Sequence, residues 1–352
     1  MESSNIIFLV SLCIFGYLLN KYFLFILKKF KVDFLLDNQF NKPQAFHGKP
    51  TYRTGGILVY ILIFLSLLYL FFYENILLIE YISFCTLFFL LGLVDDLKIS
   101  VRPKFRLLMM VVFLFFLTIY NNFYIEKTGL EFLNYLLQTD IFSLFFVCLC
   151  ILFIINGSNL IDGYNGLLGI HSLIIFIILF AINLNGENNH LSIFLFYICT
   201  IILIFLKFNF PNAQIFLGDS GSYLVGSVIA ISAIETSIEN IAIHPFFFCI
   251  LLFYIFFEVF FSFFRKIFFT QQSPLFPDDK HLHMLLYKYL IKKKIYKLNA
   301  NYIVSVYINL IYLLLIIPGI IFMENGLFCR YYFFFLLFVY TYIYRRLNKE
   351  LK

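Results

Sequence analysis

The sequence predicts an all-α protein: a polytopic membrane helix bundle of about eleven transmembrane helices, with the N-terminus outside, the C-terminus cytoplasmic and residues 1–352 forming one integral-membrane domain. Three observations carry that expectation. Hydrophobic residues make up 62% of the chain and charged ones 13%, with a mean hydropathy of +0.92, far from the roughly 45–50% apolar and ~25% charged of a soluble domain. Apolar runs long enough to cross ~30 Å of hydrocarbon recur from end to end. The basic residues between those runs crowd into alternate loops.

Taken in order, the first run centres near residue 16. A signal peptide is the competing reading, but Met1 to Asn5 carries no basic residue, Lys21 to Lys31 puts the positive charge after the apolar stretch, and no A-x-A site follows. It is read as a retained first span. Further runs centre near residues 64, 85, 114, 148, 175, 199, 229, 255, 312 and 336. An odd number places the termini on opposite sides. Of the 26 Lys and Arg, only Lys127 and Arg330 fall in one set of alternate loops. The opposite set holds Lys28, Lys29 and Lys31; Arg102, Lys104 and Arg106; Lys292, Lys293 and Lys294; and Arg345 and Arg346, which marks it as cytoplasmic. The seven cysteines lie in or beside apolar runs without C-x-x-C or zinc spacing, so they read as small core residues. The 51 Phe and the absence of Trp, beside abundant Ile, Lys, Asn and Tyr, follow AT-rich codons, and aromatic stripes are not read as binding sites.

Five polar segments interrupt this pattern: RTGG (53–56), VDDLK (94–98), NGSNLIDGYNG (156–166), FLGDSGS (216–222) and PDDKHLH (277–283). Loop parity, assigned from basic residues alone, puts all five on the cytoplasmic face. Such convergence predicts one site at the inner mouth, while the outer loop YIEKTGLEFLNYLLQTD (124–140) carries no comparable constellation.

Each segment has a chemical reading and a plainer one. Adjacent carboxylates at Asp95 and Asp96 repel, and a divalent cation or a nearby Lys or Arg relieves them; alternatively the pair ends a helix in solvated headgroups. Asn159, Asp162 and Asn165 recur at i, i+3 and i+6, so one helical face would present all three, unless they serve as capping and helix-packing residues. Asp219 and Ser220 sit where a loop enters a helix, whose free N–H groups favour a phosphate or a carboxylate holding Mg2+; the plainer reading is an N-cap. His281 and His283 lie among Asp278, Asp279 and Lys280, a weak set for zinc but suited to gripping a phosphate. The Lys288 to Lys297 run suits an interfacial helix on an anionic leaflet. His47, in FHGKPTYRTGG, is the least bland of the remaining histidines, His171, His190 and His244. No soluble nucleotide-binding fingerprint is present.

In this order, HGKPTYRTGG, GLVDDLK with RPKFRLL, NGSNLIDGYNGLLG, FNFPNAQIFLGDSGS and PDDKHLH resemble the polyprenyl-phosphate N-acetylhexosamine-1-phosphate transferase family of integral membrane enzymes, over residues 47 to 283. The resemblance implies Mg2+-dependent transfer (Mn2+ as a substitute) of a sugar 1-phosphate from a UDP-N-acetylhexosamine to undecaprenyl phosphate, with release of UMP, at cytoplasmic loops of a protein in the bacterial inner membrane. It implies Asp95 and Asp96 as the catalytic acids and Asp219, with Asp95, as metal ligands. Substrate binding falls to Asn159, Asp162, Asn165, Phe216, His281, His283 and Arg53. Asn165 stands where many members carry Asp, and H-L-H-M departs from the three consecutive histidines of the muramoyl-pentapeptide branch; PTYRTGG is closer to the simple-sugar branch that starts O-antigen, lipopolysaccharide or related cell-wall glycans. The partners implied are the two substrates and membrane lipids, with a homodimer allowed and no nucleic acid. The muramoyl-pentapeptide branch is the alternative within the enzymes, and a cation-coupled transporter is the alternative outside them: it requires acids at several depths and symmetry between halves, and no internal repeat is seen.

Overall fold

The computed structural model describes residues 3–38, 49–99, 101–125, 127–184, 189–269, 271, 273, 278–293 and 301–351. It is helical almost throughout. In chain order come α1 (Ser3–Lys29), strands β1 (Leu36–Asp37) and β2 (Thr51–Tyr52), then α2 (Gly55–Tyr73), α3 (Ile79–Asp96) and α4 (Pro103–Tyr120). After them follow α5 (Glu131–Leu137), α6 (Asp140–Ile161), α7 (Leu167–Asn183), α8 (Asn189–Asn209) and α9 (Gly218–Glu239). The last part holds α10 (Pro245–Leu251), α11 (Phe253–Phe264) with a π-turn Arg265–Phe269, α12 (Leu282–Lys292), α13 (Asn301–Ile321) and α14 (Gly326–Leu351).

Among the described residues, eight helices (α1, α2, α4, α6, α8, α9, α13 and α14) are long and apolar enough to cross a bilayer, and α10 with the α11 segment would make a ninth, bent by 76°. The two remaining centres expected from the sequence, 85 and 175, fall in α3 and in the shorter apolar α7. α3 is distinguished by three acids, Glu80, Asp95 and Asp96.

The bundle is built around α9. Its sequence GDSGSYLVGSVIAISAIETSIE is unusually rich in Gly and Ser, and nearly every side chain of its first four turns is buried. Small residues let helix backbones approach closely in a membrane, where packing and hydrogen bonds replace the hydrophobic drive. α2, α3, α6 and α7 all lie against α9. Gly56 of α2 abuts Gly221, Gly92 of α3 abuts Asp219 and Ser220, and Gly226 abuts Ile155 and Ser158 of α6.

Among the described residues, two short strands depart from the all-helical expectation. β1 and β2 pair antiparallel, Leu36 opposite Tyr52 and Asp37 opposite Thr51, and Tyr52 bridges in parallel to Ile215. From there Phe216 N–H donates to Tyr52 O at 2.8 Å, Gly55 N–H to Phe216 O at 2.9 Å and Gly56 N–H to Leu217 O at 2.8 Å. The pattern is too short to read from periodicity. Its effect is to tie the RTGG segment to the entry of α9.

The lysine-rich helix is partly a protein contact. α12 ends at Lys292; Lys288 pairs with Asp279 at 2.5 Å, Lys292 donates to Glu350 O at 2.7 Å and Lys293 lies 3.6 Å from the Glu350 carboxylate. These lysines bind their own loop and the end of α14. Lys294 to Lys297, like His47, lies outside the described residues.

Candidate active site

Adjacent residues on a helix point about 100° apart, and this separates the twin acids at the end of α3. Asp96 turns inward to α9. Its carboxylate accepts Asp219 N–H at 3.0 Å, Ser220 N–H at 2.9 Å and the Ser220 hydroxyl at 2.6 Å. Gly218 makes the approach possible: it sits at φ +75°, and a side chain there would meet the Asp96 carboxylate. The helix N-terminus expected to face a phosphate is thus closed by a carboxylate from a neighbouring helix, which satisfies two orphan N–H groups and complements the dipole. Nor is Asp219 the cap, since α9 begins at Gly218 and Asp219 lies in its first turn.

Asp95 turns the other way, to Arg106, on the first turns of α4. The same guanidinium lies 3.5 Å from Asp219 and 5.9 Å over the Tyr223 ring. Asp219 also accepts from Asn159 Nδ2 at 3.1 Å, and that amide nitrogen reaches Ser222 Oγ at 2.9 Å. On the other flank Arg53 binds Asp37 at 2.6 Å and lies 3.6 Å from Asp96. Burial works against the Arg53 charge, but Asp37, Asp219 and Asp96 outweigh it and hold the guanidinium above its ordinary value. Asp162, just past the end of α6, belongs to the same field: burial, then Asp219, push its carboxyl well up, with Arg53 opposing.

The mouth therefore gathers Asp95, Asp96, Asp219, Asn159, Asp162, Arg53 and Arg106. Accessibility divides the three α3 and α9 acids. The Asp219 side chain is 27% exposed and Asp95 14%, but Asp96 is 0%, so Asp96 holds the frame while Asp95 and Asp219 face the opening.

Four expected substrate residues do not join that cluster directly. Asn165 was expected on one face with Asn159 and Asp162, but α6 ends at Ile161 and Gly166, at φ +77°, turns the chain. Asn165 Nδ2 instead donates to Pro211 O at 2.8 Å, and Gly166 N–H to Asn209 Oδ1 at 2.6 Å, pinning this loop to the segment after α8. His281, 2% exposed, lies between Glu258 Oε1 at 3.1 Å and Asp278 Oδ1 at 3.2 Å. His283 is fully buried, its Nδ1 3.3 Å from the Tyr254 hydroxyl and its ring edge-on to Tyr164 of the DGYNG loop at 5.4 Å. Phe216 is half-buried in the connection between α8 and α9, where its N–H donates to Tyr52 O of β2.

Burial lowers His283 to about 3. Its neutral ring then contributes stability in full above the ordinary histidine value of about 6.5 and loses it as pH falls toward the folded value. The melting temperature in detergent should drop as pH is taken from 7.5 to 5, and His283→Phe should flatten that slope; equal slopes in the two proteins would refute the assignment.

Two acids went unmarked in the sequence. Glu258 lies within α11, and Glu235 lies toward the far end of α9, where it accepts from the Tyr81 hydroxyl at 2.6 Å. A lone acid in an apolar run was the available signal. Acids thus occur at more than one depth, as a transporter would need, but each of these is engaged by a tyrosine hydroxyl, at Tyr340 and Tyr81.

Among the described residues no three His, Cys, Asp or Glu side chains converge as a metal cage. Mg2+ does not require one: it takes one or two carboxylates and fills the rest with water and phosphate oxygens. Asp95 and Asp219 fit that habit in kind, and Arg106 is the cation that joins them here. The oxygens of Asp96 are already committed.

A helical membrane bundle that collects acids, an amide and two arginines at one end of its central helix is built as a membrane-embedded enzyme. Residues 78–237 match the model of Glycosyl transferase family 4. The undecaprenyl-phosphate alpha-N-acetylglucosaminyl 1-phosphate transferase of Thermotoga maritima is 29% identical over 238 residues, 67% of this chain and 68% of that protein. The phospho-N-acetylmuramoyl-pentapeptide-transferase of Dictyoglomus thermophilum is 30% identical over 197 residues, 54% of this chain and 60% of that protein, and that of Listeria monocytogenes serovar 1/2a is 32% identical over 153 residues, 41% and 47%. The chain therefore spans about two thirds of the first of these relatives and less of the others. The chain is thus similar to glycosyl transferase family 4 over residues 78–237, and the relatives it matches are sugar-phosphate transferases.

Proposed function

We propose that this protein transfers N-acetylhexosamine 1-phosphate from a UDP-sugar to undecaprenyl phosphate, releasing UMP and starting a cell-surface glycan, in the simple-sugar branch to which PTYRTGG is closer. The observation that carries the reading is the meeting of Asp95 and Asp219 on Arg106, beside Asn159 and Arg53. A diphosphate brings several negative charges, and in-line displacement on it needs cations fixed in advance. Mg2+, or Mn2+, held by Asp219 and Asp95 would supply part of that charge and polarise the phosphoryl oxygens.

The chain's own residues do the rest. Asp96 keeps α9 in register with α3, Asn159 orients the Asp219 carboxylate, and Arg53 and Arg106 balance the acids and the incoming phosphates. Asp162, beside Asp219 in the same field, lines the nucleotide-sugar side of the mouth. A general base is dispensable, because a lipid phosphate monoester with a second pKa of about 6 is already largely dianionic. Asn165, Phe216, His281 and His283 shape the walls of the donor site. In the membrane the reading puts eleven spans in the bilayer, counting α3, α7 and the bent pair, with the mouth and C-terminus in the cytoplasm and the protein in the bacterial inner membrane. A fluorescent protein fused at the C-terminus should mature and fluoresce in cells, and a dark fusion protected from cytoplasmic protease would reverse that orientation.

Purified protein incubated with undecaprenyl phosphate, Mg2+ and a panel of UDP-sugars should release UMP from a UDP-N-acetylhexosamine. Release from UDP-N-acetylmuramoyl-pentapeptide alone would move the protein to the peptidoglycan branch. No release from any donor, with lipid and metal saturating, would end the proposal.

A further inference from the structure

Glu258 stands in FYIFFEVFFSFF of α11 and is 1% exposed. A carboxylate inside an apolar helix is tolerated only where donors or cations meet it. Three do, from two other helices. His281 Nδ1 lies 3.1 Å from Glu258 Oε1, Leu282 N–H donates to the same oxygen at 3.0 Å, and the Tyr340 hydroxyl of α14 donates to Oε2 at 2.6 Å. The Leu282 N–H is one of the orphan donors that open α12, and the cap residue His281 offers no side-chain cap of its own. Glu258 closes that helix start from a different helix.

The far side of the same imidazole faces Asp278, which Arg265 meets at 2.7 Å and Lys266 at 3.6 Å. Burial would raise the Asp278 carboxyl, but His281, Arg265 and Lys266 outweigh it and hold it below the usual range. His281 is gripped at both ring nitrogens, and Glu258 supplies the buried grip.

We infer that Glu258 is the positioning residue of the H-L-H segment: it aims His281 and sets the entry angle of α12, and through them the wall of the donor site. The inference rests on the function proposed above, in which His281 serves the diphosphate. Stability alone is a poor reason for such a pair, since apolar residues of similar volume often replace both partners of a buried ion pair together at no cost. An apolar residue, however, cannot orient an imidazole.

The test is a double-mutant cycle on UMP release in detergent. Glu258→Gln, which keeps the volume, should lower kcat/KM for the UDP-sugar by about 10–100-fold, the usual cost of losing a partner that orients a working histidine. Added to His281→Ala, it should cost less than about twofold, because the two residues act as one unit; His281→Asn substitutes where the alanine variant fails to fold. Equal losses in both backgrounds, or no loss in the first, would overturn the inference. A wild-type protein that turns over no UDP-sugar would count against the function itself, and the inference then has its own readout: the His281 ring resonance, identified by its disappearance in His281→Asn, should shift in Glu258→Gln, and a resonance that stays put would overturn it.

Discussion

Asp96→Asn will lower the melting temperature of the purified protein and extinguish UMP release in the same preparation, whereas Asp95→Asn will leave the melt in place and raise the Mg2+ needed for half-maximal rate. The two residues are neighbours, so the contrast isolates geometry. Asp96 accepts two backbone N–H groups and a hydroxyl at the start of α9. An asparagine turns one acceptor into a donor aimed at other donors and leaves Arg53 without its second carboxylate. Breaking a buried charged arrangement from one side costs roughly 3–5 kcal/mol. Because Asp219 rides on the same turn, a shift of about 1 Å there is enough for a hundredfold loss of rate. Asp95, partly exposed, pairs closely with Arg106, and such a pair contributes about 0–1 kcal/mol to stability. Melts and Mg2+ titrations of both variants decide it: equal melting losses would show that the acids share one structural role, and full activity in both would remove them from the chemistry.

The second large effect should come from a residue with no chemistry. Gly92→Ala in α3 exchanges a poor helix former for the best one, a gain of about 1 kcal/mol in an exposed helix. Here the sign reverses. A methyl at Gly92 would land on the backbone of Asp219 and Ser220, and backbone cannot move aside as a side chain can. Overpacking of this kind costs about 1–3 kcal/mol, and it is relieved only by separating α3 from α9, which pulls Asp96 from the N–H groups it holds. Gly163→Ala is the control, since the nearest atom to its new methyl is His283 Nε2 at an ordinary 3.8 Å. Gly92→Ala should therefore lose at least about a hundredfold in activity together with thermal stability, while Gly163→Ala melts like the parent. A Gly92→Ala protein with parental activity would show that α3 and α9 are not held in register by this contact.

The two substitutions also mark how far the residues can be read without the fold. The apolar runs, their polar breaks and the five segments that make the mouth are properties of short stretches, so they were legible; the centres expected for the spans all fall in helices of the structure. The single face assigned to Asn159, Asp162 and Asn165 was not, because a helix was extended past Ile161, where α6 ends ahead of the turn at Gly166. Glu258 carried a visible signal as an acid in an apolar run, but its meaning lay in Leu282 and Tyr340, 24 and 82 residues away in the chain.

By itself, then, the chain determined that it would be a membrane bundle of helices and which segments would carry its polar chemistry, because burial in lipid demands long apolar runs and makes every exception conspicuous. Only the tertiary structure decided which member of the acid pair faces inward. That choice depends on the rotation of α3 about its axis and on the depth at which Gly92 lets it settle against α9, and it is made by hydrogen bonds between residues 123 and 124 positions apart, a distance over which no local pattern constrains direction.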